Sequence, residues 1–347
     1  MTRSAVVPRP RVRRIVTLIK GSELSGALGK AFEECLDAAL ARSAWPKSIT
    51  RARLVQYRRH QFLPPARGND QVLWVARSGD RVEGAAVLEP LPWDSDLYGF
   101  RMARLMAVFR DGEPATQQRV ASSFLTEILR VCRQQAIDHV AVRVGHGDSG
   151  LAHALEDAGF RFIDTTVTLT RDTGGSERRQ RRADIRLATP DDIPPPERIA
   201  SEALVDGRMD HDPWLPKHKH RQLYRRWIAN ACRGRSDAVF VYLVNRQPVG
   251  FVCCNVEREA LQWLHTTVGY IDLLAVAPPM QGQGIGRALL RAGVAWLSTR
   301  ANLVEIRTQV ANGVSVSLYQ QEGFRILSPG IALPSGHAFH GWFRGSR

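Results

Sequence analysis

A glycine-rich segment in the C-terminal half, residues 281–286 with the sequence QGQGIG, has the composition of a phosphate-binding turn. An apolar run at residues 270–276 predicts a strand before it, and apolar residues from Ile285 to Leu297 recur at helical spacing after it. A helix N-terminus offers unpaired backbone N–H groups and partial positive charge, and glycine lets the backbone approach a bound group. The sequence therefore predicts a pyrophosphate site at a strand–turn–helix junction.

Two other nucleotide-binding patterns do not fit this segment. A dinucleotide-binding turn needs Gly-x-Gly-x-x-Gly and an acidic residue about 20 positions later, after a second strand. A P-loop needs Gly-Lys-Ser or Gly-Lys-Thr, and neither follows the segment. The spacing here is Gln-x-x-Gly-x-Gly, set by Gln281, Gly284 and Gly286. The turn is therefore of a third kind.

A second group of residues with chemical potential follows later in the chain. Asn312 precedes a helical segment that carries Leu318 and Tyr319, and Gly323 and Phe324 follow that segment. A phenol of pKa about 10 stays protonated at neutral pH and can donate a proton to a sulfur anion. The alternative for Tyr319 is a core tyrosine on a helix face. Its position seven residues after Asn312 favours the catalytic interpretation.

These two motifs, in this order, resemble the GNAT superfamily of acetyltransferases. The phosphate loop of that superfamily has the form Q/R-x-x-G-x-G/A and follows the fourth strand, and its later motif is an Asn, a helix with Leu-Tyr, and Gly-Phe. The resemblance implies an α/β domain that holds acetyl-CoA in a gap between the fourth and fifth strands. It also implies transfer of an acetyl group from acetyl-CoA to a primary amine by direct attack.

The resemblance implies roles for individual residues. Tyr319 would protonate the CoA thiolate, and Asp272 is a candidate base for the amine. Glu257, Glu259 and ordered water are the other options for the base. Backbone of the fourth strand would pair with the pantetheine, the glycine-rich turn would bind the pyrophosphate, and Asn312 would contact the CoA chain. The cofactor-binding residues implied in this way are Leu274, Ala275, Val276, Gln281, Gly282, Gln283, Gly284, Ile285, Gly286, Arg287 and Asn312.

The two halves of the chain share a fragment. Residues 140–161 align with residues 304–325 at a fixed offset of 164, which matches Val-Ala-Val-Arg and Gly-Phe-Arg to Val-Glu-Ile-Arg and Gly-Phe-Arg. The first half has Leu155 where the second has Tyr319, and it has no counterpart of the glycine-rich turn. Coincidence on a shared architecture is the alternative. We predict tandem GNAT-like α/β domains, each a mixed central sheet flanked by helices, with a degenerate N-terminal copy.

Composition and periodicity divide the chain into four segments. Residues 1–60 are predicted to form a basic extension with one amphipathic helix at residues 22–43, where large apolar residues recur every four positions. Residues 61–172 are assigned to the degenerate domain. Residues 173–183 are rich in charge and glycine, which predicts a linker. Residues 184–347 are assigned to the catalytic domain.

A narrower resemblance concerns the acceptor. Residues 88–100, LEPLPWDSDLYGF, are similar to a segment of the dTDP-fucosamine (dTDP-4-amino-4,6-dideoxygalactose) N-acetyltransferases, which also pair an incomplete N-terminal domain with a complete C-terminal one. This resemblance implies an amino-sugar nucleotide as the acceptor. The alternatives are another amine (an aminoglycoside, a polyamine, an amino acid or a protein N-terminus) or a non-catalytic module that senses CoA or binds a polyanion. The candidate substrate-binding residues, for which inter-domain packing is the alternative, are Trp93, Tyr98, Trp214 and Tyr224.

Charge and composition bound the partners. The net charge of +14 attracts anions such as CoA or a nucleotide-sugar, and without an aromatic RNA-binding signature we expect no nucleic-acid partner. His211, His218 and His220 lie among lysines and prolines, which indicates a solvated loop and no metal site. No apolar run approaches the ~18 residues of a membrane span, and no secretory signal is recognisable, so we expect a cytoplasmic protein. The oligomeric state stays open, a homodimer being one option.

Overall fold

The computed structural model describes residues 15–40, 49–63, 72–110, 113–145, 148–174, 183–204, 207–327 and 336–342. Within these ranges the first half forms the strands β1 (Ile15–Lys20), β2 (Val72–Ser78), β3 (Arg81–Pro90), β4 (Met102–Phe109), β5 (His139–Val144) and β6 (Arg161–Asp172). Its helices are α1 (Gly26–Ala39), α2 (Arg51–Phe62), α3 (Pro92–Tyr98), α4 (Pro114–Gln134) and α5 (Ser149–Asp157).

The second half repeats this order of elements. Its strands are β7 (Ile185–Leu187), β8 (Ala238–Val244), β9 (Gln247–Glu257), β10 (Val268–Val276), β11 (Leu303–Gln309), β12 (Arg325–Leu327) and β13 (Gly336–Trp342). Its helices are α6 (Pro194–Ala203), α7 (Arg208–His211), α8 (Lys217–Asn230), α9 (Arg258–Leu264), α10 (Ile285–Leu297) and α11 (Gly313–Gln321). A π-helical turn, Ala231–Arg235, follows α8.

The repeat found in the sequence is present in the structure. The pairs β5 and β11, α5 and α11, and β6 and β12 each begin 164 residues apart. In both halves the fourth strand runs parallel to the fifth, while its other neighbour is antiparallel. The predicted tandem α/β architecture, with mixed sheets flanked by helices, is confirmed.

Apolar periodicity explains how α10 is held behind the glycine-rich turn. Ile285, Leu289, Leu290 and Val294 are all buried and pack on a core that includes Val252 of β9. Burying one such side chain stabilises the fold by about 1.5–3 kcal/mol. The N-terminus of α10 is therefore anchored at a fixed place beside the end of β10.

The two halves exchange strands in one continuous sheet. The strand order is β1-β2-β3-β4-β5-β13-β6-β11-β10-β9-β8-β7, and β12 also pairs with β6. The last strand, β13, lies between β5 and β6 and is antiparallel to both. The long β6 pairs with β13 near its start and with β11 and β12 beyond it. Each half therefore contributes a strand to the sheet of the other.

This exchange crosses the segment boundaries expected from the sequence. Residues 1–60 were expected to form an extension, whereas β1, α1 and α2 are built into the first half, where β1 pairs with β2. Residues 1–14 of that extension and residues 175–182 of the expected linker lie outside the described residues. In the part of the chain that is described, no helix combines the length and the apolar character needed to cross a membrane.

Candidate active site

A gap opens between β10 and β11, the fourth and fifth strands of the second half. The two strands pair from Val268 to Ile271 against residues 303–306, and beyond Ile271 the described part of β10 pairs only with β9. The pairing with β9 shifts register around Asp272, which marks a β-bulge. A bulge bends a strand and increases its twist, so β10 diverges from β11 at this residue.

The glycine-rich turn lies at the end of β10 and its first four residues are exposed. Gly282 and Gly284 have φ angles of +77° and +79°, and a Cβ on either would meet no atom within 4 Å. Gly284 is the N-cap of α10, and no side chain of the described residues caps this helix. The backbone N–H groups of the first turn are therefore open to an external acceptor. These features fit a pyrophosphate group.

Side chains brace the turn against the neighbouring elements. The Nε2 of Gln281 donates to the carbonyl of Val276 at 3.0 Å. Arg287 lies 3.5 Å from Glu322, just after α11, and Arg291 donates to both oxygens of that carboxylate at 2.7 and 2.9 Å. The turn is thereby tied to β10, and α10 is tied to the C-terminal end of α11.

A cavity of about 930 Å³ connects the gap with the space between the two halves. The glycine-rich turn lies outside the cavity lining. Four of the predicted catalytic and cofactor-binding residues form part of the lining: Asp272, Leu274, Asn312 and Tyr319. The first half contributes residues 89–94, Arg104, Arg143 and Thr166. Both halves therefore shape one site.

Tyr319 lies on α11 and reaches the cavity from the core side. Asn312 is the N-cap of this helix and accepts a hydrogen bond from the backbone N–H of Ser315 at 3.1 Å. The Tyr319 side chain is 6% exposed and packs against Phe324, with ring centroids 6.2 Å apart. Burial raises the pKa of Tyr319 to about 12. The phenol is therefore protonated at neutral pH and can act as a proton donor.

Asp272 is the one of the three predicted base candidates that lines the cavity. Burial raises the pKa of its carboxyl, and the Nε1–H of Trp227, which donates to it at 3.3 Å, lowers the pKa in part. Glu257 caps the N-terminus of α9, and Glu259 lies 2.8 Å from His60. These two carboxylates lie outside the cavity lining.

The four candidate substrate-binding aromatics divide into two pairs. Trp93 and Tyr224 line the cavity. Tyr98 is buried in a cluster between the halves, where it packs with Met102, Met209 and neighbouring apolar residues. Trp214 lies outside the lining, under the guanidinium of Arg161 at 5.6 Å. Of the four candidate aromatics, the cavity lining thus includes one from each half.

Five arginines line the cavity, a feature that sequence reasoning missed. They belong to both halves and face three lining carboxylates, Glu89, Asp94 and Asp272. Two of the five arginines have a carboxylate partner: the Nε of Arg104 donates to Glu89 at 2.9 Å, and Arg143 lies 3.5 Å from Asp164. The arginines are Arg104, Arg143, Arg208, Arg235 and Arg307.

The arginines are close enough to repel one another. Burial lowers the pKa of Arg307 to about 10, and the charges of Arg208 and Arg104 contribute in the same direction. Burial, with the charges of Arg208 and Arg307, also lowers the pKa of Arg143. The sequence held one signal for this cluster, since Arg143 and Arg307 occupy the same position of the repeat. A crowded cationic site is stabilised by a bound anion.

Comparison with known proteins agrees with this geometry. Residues 202–324 match the model of the acetyltransferase (GNAT) family. The chain is 23% identical over 267 residues to the spore coat polysaccharide biosynthesis protein SpsD of Bacillus subtilis. This alignment covers 76% of the chain and 85% of SpsD. It is 28% identical over 197 residues to mycothiol acetyltransferase of Salinispora arenicola, over 52% of this chain and 58% of that protein.

Two solved structures share the fold over nearly the whole chain. A GCN5-related N-acetyltransferase from Sphaerobacter thermophilus has a TM-score of 0.59 at 13% identity, over 96% of this chain and 97% of that one. A tandem GNAT protein from the clavulanic acid biosynthesis pathway has a TM-score of 0.51 at 14% identity, over 96% and 100%. The family match, in a domain with a gap between β10 and β11, defines the second half as an acyltransferase. Residues 202–324 of the second half form an acetyltransferase (GNAT) domain.

Proposed function

We propose that this protein transfers an acetyl group from acetyl-CoA to the primary amine of an anionic amino-sugar, of which an amino-sugar nucleotide is the best-fitting class. The observation that carries the proposal is the cavity between the halves, with its five arginines against three carboxylates. A nucleotide-sugar brings a diphosphate, and arginine is the side chain best suited to bind phosphate oxygens in pairs. The amine end of such an acceptor would then lie toward Asp272 and Tyr319.

The GNAT family uses acetyl-CoA as its co-substrate, and this chain has the groups to hold it. The open N-terminus of α10, with Gly282 and Gly284 at positive φ, suits the pyrophosphate. Backbone groups of β10 beyond Ile271 on the side facing β11 are available to the pantetheine, since this part of β10 pairs with β9 alone among the described strands. When bound, acetyl-CoA supplies the acetyl group as a thioester.

The chain's own residues then handle two protons. Asp272 accepts a proton from the acceptor ammonium, which frees the amine to attack the thioester carbon. The new C–N bond forms as the C–S bond breaks, and Tyr319 donates its phenolic proton to the departing thiolate. The second proton that the nitrogen loses on becoming an amide returns the Tyr319 phenolate to the phenol. Burial raises the pKa of both groups, so Asp272 becomes a stronger base for the ammonium and the Tyr319 phenol keeps its proton until the thiolate forms.

The charge of the cavity discriminates between acceptors. Aminoglycosides and polyamines carry several positive charges, which five arginines repel. SpsD is named for spore coat polysaccharide biosynthesis, which is consistent with a sugar acceptor. Tyr319 lining the cavity supports catalysis over a module that only senses CoA. We further propose that the first half, through residues 89–94, shapes the acceptor end of the site.

Steady-state release of CoA thiol with a panel of acceptors tests the proposal. The panel contains a nucleoside-diphosphate amino-sugar, the same amino-sugar without the nucleotide, spermidine and a short peptide. We expect the highest kcat/KM for the nucleotide-linked sugar, with the free sugar lower by at least about tenfold because it lacks charge-assisted hydrogen bonds. A peptide or spermidine that outperforms both sugars would refute the sugar assignment.

Removal of one cavity arginine supplies the matched control. Arg235 is exposed and lines the cavity, whereas Arg225 is exposed on α8 outside the lining. Arg235→Gln should raise the KM for the nucleotide-linked sugar and leave that for the free sugar unchanged. Arg225→Gln should change neither. Equal KM values for Arg235→Gln and wild type on the nucleotide-linked sugar would remove Arg235 from the anion site.

A further inference from the structure

Three buried side chains from distant parts of the chain meet beside the acceptor cavity. His139 begins β5, Asp212 follows α7, and His340 lies on β13. The Nε2 of His139 lies 2.8 Å from Oδ2 of Asp212, and the Nδ1 of His340 contacts the same oxygen. The two imidazole rings are 5.0 Å apart and edge-on. This His139–Asp212–His340 cluster joins the first half, the exchanged strand and the acceptor side of the second half.

The carboxylate of Asp212 has partners on both oxygens. Its Oδ1 accepts the backbone N–H of Trp214 at 2.9 Å, while the two imidazoles share Oδ2. Burial alone would raise the pKa of Asp212, but the hydrogen bonds from His139 and His340 hold it well below its usual range. The cluster is therefore an anion between two imidazole N–H donors.

The cluster anchors a helix too short to be stable alone. The helix α7 has four residues, whereas isolated helices need about 12–15 residues for even marginal stability. At its start, Asp210 accepts the backbone N–H of Gly207 at 3.0 Å and contacts Nδ1 of His220, also at 3.0 Å. At its end, Asp212 is the anchor to the other half. The first residue of α7, Arg208, lines the cavity.

Arg208 stands at the centre of the charges around the cavity. Its positive charge lowers the pKa of four groups on four different elements: Asp94 on α3, Arg143 on β5, Arg307 on β11 and His340 on β13. A side chain at this point contributes to an anion site only if its backbone is held in place. The anchors of α7 therefore decide where this charge lies.

We propose that the His139–Asp212–His340 cluster is a positioning device that fixes Arg208 in the cavity and so sets the affinity for the anionic part of the acceptor. This inference rests on the proposed function. It makes His139, Asp212 and His340 positioning residues that act through Arg208, outside the reacting groups. It also gives the exchanged strand β13 a direct connection to acceptor binding.

A metal ion is the competing interpretation of the same three side chains. Two imidazoles and a carboxylate form a donor set that zinc accepts. Ligand atoms about one zinc ion lie about 3.3 Å apart, as bonds of about 2.0 Å at tetrahedral angles require. The contacts to Oδ2 of Asp212, at 2.8 Å and less, are hydrogen-bond lengths. The charge of Arg208 also opposes a dication here. The distances therefore favour hydrogen bonds among the three side chains over coordination of a metal ion.

Amide substitutions separate the two interpretations. Gln places an N–H donor near the Nε2 position of a histidine, and Asn places one near Nδ1. His139→Gln and His340→Asn should therefore keep the acceptor KM within about threefold of wild type. His139→Ala, His340→Ala and Asp212→Asn should raise it by about tenfold, the effect of a lost buried charge-assisted bond, with kcat within about twofold. The exposed inter-half pair of Asp96 with Arg226 supplies the control, since Asp96→Asn should change nothing.

A second readout does not depend on the acceptor. Inorganic pyrophosphate, titrated against wild type and the variants with saturating CoA present, probes the cavity anion site by calorimetry. We expect Asp212→Asn to weaken this binding by about tenfold, and no further weakening when Arg208→Gln is added. Circular dichroism melting identifies any variant that fails to fold, in which case the His340→Asn and His340→Ala pair decides the question.

Several results would overturn the inference. Unchanged pyrophosphate affinity and acceptor KM in both Asp212→Asn and His340→Ala would do so. So would zinc retained at one atom per chain by mass spectrometry and lost equally in His139→Gln and His139→Ala. A fall in kcat alone would indicate a general structural role. A different outcome separates the two proposals. If a neutral acceptor is turned over while Asp212→Asn still weakens pyrophosphate binding through Arg208, the proposed function is refuted and the positioning role stands.

Discussion

The two halves of this protein use the same order of elements, yet the space beside their fifth strands is closed in one and open in the other. In the first half α5 packs onto the start of α4, and a Cβ on Gly150 would lie 2.4 Å from the carbonyl oxygen of Pro114. The equivalent residue of the second half is Val314, which is 84% exposed. In the first half, the backbone of α4 therefore occupies the region next to the start of α5. In the second half, the equivalent region beside α11 is open to a ligand.

Side chains complete the difference. Leu151 and Leu155 of α5 are buried in the first core, whereas Ser315 and Tyr319 occupy the same repeat positions on α11 and line the cavity. An apolar helix face packs against its neighbour to exclude water, while a face with hydroxyl groups needs polar partners. The comparison shows that the two halves keep the same order of strands, while the helix after the fifth strand is packed into the core in one half and lines the cavity in the other.

The largest expected effect concerns the residue that distinguishes the two halves most. Tyr319→Phe should lower kcat for acetyl transfer by about a hundredfold, because the thiolate loses its proton donor. The melting temperature should change little. Tyr270→Phe is the matched control, since Tyr270 also lines the cavity and should retain activity near wild type. Stopped-flow or steady-state thiol release measures both, and equal rates for the two variants would assign Tyr319 to the core.

An intermediate effect is expected where the first half is closed. Gly150→Ala should lower the free energy of unfolding by about 1–3 kcal/mol, because the added Cβ meets backbone atoms at 2.4 Å and 2.7 Å. This is opposite in sign to the preference of helices for alanine. Val314→Ala, at the equivalent position, should change stability by less than about 0.5 kcal/mol. Urea unfolding compares them, and a stabilised Gly150→Ala would show that α5 is loosely packed.

The smallest expected effect is a shift in pH dependence. In the proposed mechanism Asp272 is the base and works only when deprotonated, so kcat/KM falls as the pH drops through its pKa. Trp227→Phe removes a hydrogen bond that lowers this pKa, so the fall should begin at a pH higher by about half a unit to one unit. Trp93→Phe, which lines the cavity elsewhere, should leave the midpoint in place. An acid limb that persists unchanged in Asp272→Asn would assign the base role to another group.

Much of the fold could be predicted because its signals are local. The strand predicted at residues 270–276 and the helix predicted from Ile285 to Leu297 are observed as β10 (Val268–Val276) and α10 (Ile285–Leu297). The glycine-rich turn was found because its chemistry needs consecutive residues. The repeat offset of 164 recurs in three pairs of elements.

What the sequence did not reveal depends on contacts between distant residues. The pairing of β13 with β5 joins segments almost 200 residues apart, and no periodicity encodes which strand lies between which. His139, Asp212 and His340 have no ligand-like spacing, so only the assembled sheet brings them together. Among the cavity arginines, Arg143 and Arg307 were visible as a matched pair of the repeat, and the others only as part of a high overall charge. Which strands pair, in which register, and which side chains meet all depend on contacts between residues far apart in the sequence.

The exchanged strand also sets an order of events during synthesis. Chains emerge from the ribosome N-terminus first, and domains generally fold as they appear. Here the first half lacks β13 until residues 336–342 have been made, so the edge of β5 and the part of β6 that face β13 stay unpaired until then. Unpaired strand edges are templates for association with other chains. A nascent chain of this protein is therefore most exposed to aggregation just before its final strand is released.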